Sequence, residues 1–447
     1  MKTFRLGGVH PKDNKITAAV PFRKVPVPKE VTIPLDQHIG APATVCVAVG
    51  DKVKAGQTIG NPGGFVSAAV HSSVSGTVKR IDRVRDAWGV YHPCVIITVE
   101  GDEWLEGIDT SDTLVKECAL EPKEILDKIT ASGIVGLGGA CFPTQVKLMP
   151  PKDCKIDTLI VNAVECEPYL THNHRLMLEK GDEIMVGVQI LLKALGIKKA
   201  IIGVENNKRD AIEHLQSLLP TYNISGYDIE VTPLKLKYPQ GGEKQLIQAL
   251  TGRVVRSGAI PAATGAVVQN VATVFAVYEA VQKNKPITEI ALTVSGKRVA
   301  KPGNFILRIG TPLSAAVDMA GGIPDGTGKL ICGGPMMGRS MVHLNTPANK
   351  RTSAVVMLDE SEAVRGKVEN CIRCGKCVEA CPMGLEPYLL SKMSKMEMYD
   401  EAEQHQIFDC IECGCCAFSC PSNRPLLDYV RLGKAQVMSI MKSRNNK

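Results

Sequence analysis

Two short stretches of this chain constrain it more than all the rest. "NCIRCGKCVEACP" (residues 370–382) places Cys371, Cys374, Cys377 and Cys381 at x2, x2 and x3 intervals and follows the last with Pro382. "DCIECGCCAFSCP" (residues 409–421) repeats the pattern with Cys410, Cys413, Cys416, Cys420 and Pro421. C-x2-C-x2-C wraps three thiolates around one iron–sulfur cube. The fourth cysteine, three residues on and followed by proline, is carried to the other cube. The spacing therefore predicts Cys371, Cys374, Cys377 and Cys420 on cluster 1, and Cys410, Cys413, Cys416 and Cys381 on cluster 2, both [4Fe-4S]. Zinc favours separated C-x2-C knuckles and fits these runs poorly. Cys415 breaks the x2 interval and is left out. The stretch between the runs, 383–409, reads as helical and sets the cubes side by side.

Sixteen cysteines without an export signal point to metal rather than to disulfides. The N-terminus, "MKTFRLGGVHPKDNK", has no apolar core, so export is not expected. No apolar run reaches the ~18 residues of a membrane span. The formal charge of +7 falls to about +3 once eight thiolates hold two cationic cores. That excess, with no basic run interleaved with aromatics, gives no expectation of a nucleic-acid partner. A chain of 447 residues exceeds one ordinary domain.

Paired cubes move electrons singly, so a second module must supply them. "SGIVGLGGACFPTQVKL" (132–148) concentrates Gly133, Gly136, Gly138 and Gly139 after a predicted helix. Such a loop can turn backbone amides toward an anion, and Lys147 adds a cation. Strands and helices then alternate: "DTLIVNAVECEP", a helix at 182–196, "KAIIGVE", a helix at 207–219 and "DIEVTPLK". This is the pattern of a parallel sheet, which binds ligands beyond its strands' C-terminal ends. Asn162, Glu165 and Glu167 fall just past one strand. Glu243 opens a helix after a glycine pair, and Asn270 and Thr273 follow in "VVQNVATV".

Residues 132–275 resemble the flavin- and NADH-binding domain of the respiratory complex I flavoprotein subunit. The shared pattern is G-x-G-G-A-x-F-P-T-x-x-K, N-A-x-E-x-E-P, G-G-E and N-V-x-T. The resemblance implies noncovalent FMN at Gly136, Gly138, Gly139, Lys147, Asn162, Asn270 and Thr273. It implies nicotinamide and ribose contacts at Phe142, Glu165, Glu167 and Glu243. Val164 and Gly242 stand where that family carries acids. The chain as a whole, over residues 4–435, resembles the RnfC family of the Rnf complex. "FRLGGVHP", "GAIPAATGAVVQNVAT", "CGGPMMG" and the paired cysteine runs carry that likeness.

The expected fold is multidomain α/β and α+β. Residues 1–110 form an N-terminal β barrel-sandwich module resembling lipoyl domains, with His71-Ser72-Ser73 at an exposed tip where a swinging arm would need lysine. Residues 111–285 form the Rossmann-like FMN/NADH domain and 286–345 an SLBB β-grasp module. The polar stretch 345–367 reads as a linker, marking the boundary before a helical two-[4Fe-4S] ferredoxin-like domain at 346–447. "ICGGPMMG" is expected as a tight turn packing between flavin and clusters. His172 and His174 read as a surface turn. Cys46, Cys94, Cys118, Cys154 and Cys332 read as small buried hydrophobes, with Cys141 and Cys166 packing in the flavin segments. The final basic amphipathic helix reads as solvated.

The resemblance implies the peripheral NADH-oxidising or NAD-reducing subunit of a membrane-bound ferredoxin:NAD oxidoreductase, coupled to sodium or proton translocation. Hydride passes between NADH and FMN, and single electrons pass through the clusters, with no side-chain nucleophile or base. The expected partners are the membrane subunits of the Rnf complex, its ferredoxin-like member and, indirectly, ferredoxin. The expected place is the cytoplasmic face of a bacterial inner membrane. One alternative is a soluble cobalamin-reductase-like iron–sulfur flavoprotein. Another is an electron-wiring subunit that has lost NADH binding; Phe142, Glu165, Glu167 and Glu243 argue against it.

Overall fold

Alternating apolar residues on the strand Thr158–Asn162 face two different cores. Leu159 and Val161 pack with Val188, Leu191, Val274 and Val277, while Ile160 packs with Ile201, Leu246 and Ile247. A strand covered on both faces belongs in the middle of a parallel sheet. In the computed structural model, which describes residues 1–224 and 226–445, it is paired on both sides. The order is Asp228–Leu234, Lys199–Glu205, Thr158–Asn162, Ala266–Asn270, all parallel. Gly181–Leu195 and Val271–Lys283 cover one face and Glu243–Thr251 the other. The chain leaves Thr158–Asn162 toward one side and returns on the other, so the sheet's topological switch point lies between that strand and Ala266–Asn270.

The barrel module closes a four-stranded sheet (Glu30–Pro34, Tyr91–Val99, Gly76–Arg85, Lys52–Val53) against a three-stranded one (Thr44–Val45, Thr58–Asn61, Val70–His71). Its tip is not exposed. His71, Ser72 and Ser73 are buried; Ser73 Oγ donates to Ile309 O at 2.5 Å and Arg308 Nη1 donates to Ser73 O at 2.7 Å. The tip is the surface by which the barrel docks on the β-grasp module.

One expected boundary shifts. The β-grasp sheet has six strands, ordered Phe22–Lys24, Gly303–Arg308, Glu289–Ser295, Ala354–Asp359, Thr327–Cys332, Arg339–Ser340. Ala354–Asp359 lies inside it and is buried along Ala354 to Leu358, so 345–367 is not a linker and the sheet runs past 345. Its polar flanks concealed a continuous apolar run, the signature of a strand covered on both faces. Residues 1–20, within the expected N-terminal module, run as a strap against the neighbouring modules. Lys2 bridges Leu234, Val9 pairs with Tyr238, Tyr169 N donates to Asp13 O at 2.9 Å, and Asn304 Nδ2 donates to Thr17 O at 3.0 Å. The strap thus satisfies its backbone on the flavin and β-grasp modules.

The cysteine domain packs Pro387–Lys395, Tyr399–Gln404 and Leu426–Asn445 around Leu390, Met393, Ile407, Val430 and Val437. The basic end of the last helix is ion-paired, Arg444 to Asp400 and Glu403; the final residues 446–447 lie outside the described part. No helix among the described residues is long and apolar enough to cross a membrane.

Candidate flavin crevice and dicluster site

The switch point carries two asparagines side by side. Asn162 and Asn270 are register partners at the C-terminal ends of adjacent strands. Asn270 caps the helix that follows, its side chain accepting from Ala272 N at 2.8 Å, and its Nδ2 reaches Asn162 O at 3.4 Å. Asn162 Nδ2 holds Gly241 O at 2.8 Å. The glycine loop folds over this floor. Gly136 N donates to Phe142 O at 2.9 Å, and Leu137 N to the buried Thr273 Oγ1 at 2.9 Å. At Gly138 a Cβ would stand 2.8 Å from Asn270 Nδ2 and 2.9 Å from its Cβ and Cγ, so only glycine lets the loop lie this close. Gly139 has φ 148° and open space on its Cβ side. The amides of Gly138, Gly139 and Ala140 find no protein acceptor among the described residues. Consecutive unpaired amides beside open space fit a phosphate.

The structure therefore gathers Gly136, Gly138, Gly139, Asn162, Asn270 and Thr273 into one crevice. Phe142 anchors the loop through its carbonyl. Lys147 and Glu243 stand together at its rim, Nζ to Oε1 2.7 Å, with Lys147 also donating to Val268 O at 3.1 Å. Lys147 is thus a paired cation. Glu165 and Glu167 are engaged elsewhere. The Glu165 carboxylate accepts from Asn173 N at 2.8 Å and His174 N at 3.2 Å, at the start of the helix His172–Glu179, and lies 3.3 Å from His172 Nδ1. Burial pushes its carboxyl up, but His172, Lys15 and Lys208 outweigh that and hold it below the ordinary value. Glu167 accepts from the Met336 and Met337 amides at 3.1 and 2.8 Å, and burial raises it to about 7 against them. His172 and His174 are buried rather than on a surface turn; His174 Nε2 pairs with Asp210 at 2.7 Å.

Sequence reasoning missed Lys15. From the strap, its ammonium donates to Glu165 O at 2.8 Å, Glu167 O at 2.8 Å and Leu170 O at 2.6 Å. It thereby fixes a loop in which Glu165 and Tyr169 adopt positive φ. Burial, then Lys208, brings Lys15 to about 8. Nothing local marks it, because its partners lie about 150 residues away. Lys15→Met strands three carbonyls and is expected to cost about 3 kcal/mol, read as a lowered thermal midpoint.

Cys410, Cys413, Cys416 and Cys381 line one cavity, walled by Leu385, Leu390, Leu427 and Val430. The same turn occurs in both cysteine runs: Arg373 and Glu412 have φ 56° and 57°, Gly375 and Gly414 φ 76° and 79°. Among the described residues no three Cys, His, Asp or Glu side chains are grouped around one ion. Four soft thiolates lining one apolar-walled cavity are the donor set of an iron–sulfur cube. In the other set, Cys371 and Cys374 are exposed, and the Cys377 thiol feels Cys420. Cys415 is buried, its Sγ 3.9 Å from Tyr238 O; Cys415→Ser is expected to leave iron near eight atoms per chain by metal analysis. Of the scattered thiols, Cys94 and Cys141 are buried, while Cys46 is exposed and Cys118, Cys154, Cys166 and Cys332 are partly so.

The cavity of Cys410, Cys413, Cys416 and Cys381 is docked on the flavin module. Tyr238 OH donates to Cys413 O at 2.9 Å and stands 3.5 Å from Glu167 Oε1. Gln245 Nε2 reaches Pro382 O at 3.1 Å, and Gly8 N of the strap reaches Ala380 O at 2.9 Å. The turn 332–338 sits between, its Met336 and Met337 amides on Glu167 and Arg431 Nη2 on Met337 O at 2.9 Å.

Comparison with known proteins agrees with this layout. The sequence matches the RnfC barrel sandwich hybrid domain over residues 2–102, the Nuo51 FMN-binding domain over 129–279, the SLBB domain over 292–340 and a 4Fe-4S dicluster domain over 363–421. The fold is similar to a chain of an NAD+-reducing [NiFe]-hydrogenase in the H2-reduced state. There the TM-score is 0.51 and the identity 20%, covering 71% of this chain and 63% of that one. The chain is 46% identical to the RnfC-type component of the proton-translocating ferredoxin:NAD(+) oxidoreductase complex of Clostridium ljungdahlii, over 98% of this chain and 94% of that protein. It is 42% identical to its counterpart in the Na(+)-translocating complex of Acetobacterium woodii, over 98% and 97%. At 42–46% identity over 98% of its length, and with the RnfC barrel sandwich domain matched, the chain belongs to the RnfC family of ferredoxin:NAD(+) oxidoreductase complexes.

Proposed function

We propose that this chain is the NAD(H)-reacting subunit of a ferredoxin:NAD oxidoreductase complex, with FMN and two [4Fe-4S] clusters as its cofactors. One observation carries the reading: the glycine loop lies over Asn162 and Asn270 at the sheet's switch point, and a four-cysteine cavity is docked on the same module. When bound, FMN exchanges a hydride with NADH and the clusters take electrons singly. The chain's own part is to hold and orient. The amides of Gly138 and Gly139 receive the phosphate, and Asn162, Asn270 and Thr273 frame the flavin. Lys147 and Glu243 face the nucleotide at the rim, and Phe142 lies beside it. Glu165 and Glu167 act by shaping the loop after Asn162, since their carboxylates are held by other segments. Cys410, Cys413, Cys416 and Cys381 hold the cluster nearer the flavin. Cys371, Cys374, Cys377 and Cys420 hold the outer one, whose exposed Cys371 and Cys374 offer an exit to a ferredoxin-like subunit.

The two relatives are named for different ions, yet each matches this chain over 98% of its length. The choice of ion accordingly belongs to other subunits, and this one sits peripherally at the cytoplasmic face of the membrane. Anaerobic purification should yield about eight irons and one FMN per chain, and NADH should bleach the flavin absorbance. Colourless protein holding zinc, with no flavin regained on reconstitution, would refute the proposal.

A further inference from the structure

A lysine that the sequence places in an apparent linker lies instead beneath the glycine loop. Lys350 is 1% exposed. Its ammonium donates to Gly133 O, where the glycine loop begins, at 2.7 Å, and to Ala69 O of the barrel at 3.1 Å. Its own backbone is fixed on both sides. Lys350 N donates to Gln37 Oε1 at 3.0 Å, and Cys141 Sγ, at the far end of the loop, donates to Lys350 O at 3.2 Å. Gly133 is packed so tightly that a Cβ there would stand 2.1 Å from Ala69 O and 3.1 Å from Lys350 Nζ.

A buried ammonium normally has a carboxylate partner. Lys350 has two carbonyls and no ion pair among the described residues. The titratable and charged groups that face it bring no negative charge between pH 7 and 9. Burial pushes the Cys141 thiol up to about 12. Burial, then Lys350 itself, pushes His71 of the barrel down to about 3, and burial lowers His38. The neighbouring Arg351 adds positive charge, its guanidinium being held by His38 O. Among the described residues nothing supplies the countercharge, and Lys350 stands at the base of a loop whose own amides at Gly138 to Ala140 lack acceptors there.

We infer that Lys350 is a positioning residue for the phosphate of the bound flavin: it locks the base of the glycine loop to the barrel and supplies the buried positive charge that the ligand's phosphate answers. The inference rests on the FMN reading above and adds a contact between modules that makes flavin binding depend on the barrel. Burial leaves Lys350 near 8. Binding an anion favours the protonated form, so FMN affinity must fall as pH rises past that value.

The test is fluorescence titration of FMN and of riboflavin, which lacks the phosphate, into the full-length, iron-replete chain stripped of flavin, from pH 7.5 to 9.5. The native chain should lose FMN affinity by up to about tenfold per pH unit above 8, with riboflavin unaffected by Lys350. Lys350→Met should bind FMN about tenfold or more weakly at pH 7.5, and its pH dependence should flatten. Lys15 titrates in the same range, so any slope left in Lys350→Met is its share. Lys350→Arg, whose charge does not titrate, should bind FMN tightly with the same flattened profile. Native FMN affinity and slope in Lys350→Met, or equal losses for FMN and riboflavin, overturn the inference. If Lys350→Met does not retain iron, Lys350→Arg decides: a flattened slope with tight binding upholds the inference, and the native slope overturns it. A native chain that binds no FMN at any pH would instead refute the flavin reading itself.

Discussion

Gly138→Val is expected to give protein with its iron and without its flavin. The new Cβ would fall 2.8 Å from Asn270 Nδ2 and 2.9 Å from Asn270 Cβ and Cγ. Asn270 has little freedom to retreat. Its side chain caps the helix that follows, through Ala272 N at 2.8 Å, and spans to Asn162 O; losing that cap costs about 1 kcal/mol. Either the loop lifts off the switch point or Asn270 leaves it, and both open the floor on which the flavin would rest. Flavin content should fall below about a tenth of native, while iron stays near eight atoms per chain. Gly136→Ala is the matched control. A Cβ there meets nothing closer than Phe142 O at 3.6 Å, an ordinary contact, so flavin should remain. Full flavin in Gly138→Val would remove the glycine loop from the site.

Cys413→Ala and Cys420→Ala should each lower iron from about eight to about four atoms per chain, with opposite consequences for electron flow. The cavity lined by Cys410, Cys413, Cys416 and Cys381 is docked on the flavin module through Tyr238 and Gln245. Without its cluster, NADH should still bleach the flavin, but the outer cluster should stay oxidised over the native turnover time. Cys420→Ala removes the outer cluster; NADH should then reduce the flavin and the remaining cluster at native rates and stall there. Rapid mixing with freeze-quench EPR reads both. The reverse outcome, with fast cluster reduction in Cys413→Ala and none in Cys420→Ala, would reverse the order of the two clusters.

Much of this was legible in the residues because it is local. The two cysteine runs state their spacing within thirteen-residue windows, and the matching positive φ at Arg373 and Glu412 and at Gly375 and Gly414 shows the duplication continuing into the backbone. The parallel sheet was legible from alternating strand and helix patterns; its switch point, between Asn162 and Asn270, appeared only in the folded strand order. The carboxylates were less so. "NAVECEP" shows Glu165 and Glu167 beside Asn162, but their carboxylates face the helix His172–Glu179 and the turn at Met336–Met337. Backbone amides from distant segments captured them, and no spacing within the motif foretells that.

The cysteine spacing, the parallel-sheet pattern and the glycine loop are written in the order of residues, because each is completed within one or two neighbouring elements. The strap of residues 1–20, the last core strand Ala354–Asp359, the buried lysines Lys15 and Lys350, and the packing of one cysteine set against the α/β module came from the folded chain alone. Each depends on partners more than about 50 residues distant, such as Lys350 with Gly133 or Tyr238 with Cys413. Burial and hydrogen bonding between such partners exist only once the modules have packed, so they leave no periodicity in the chain to be read.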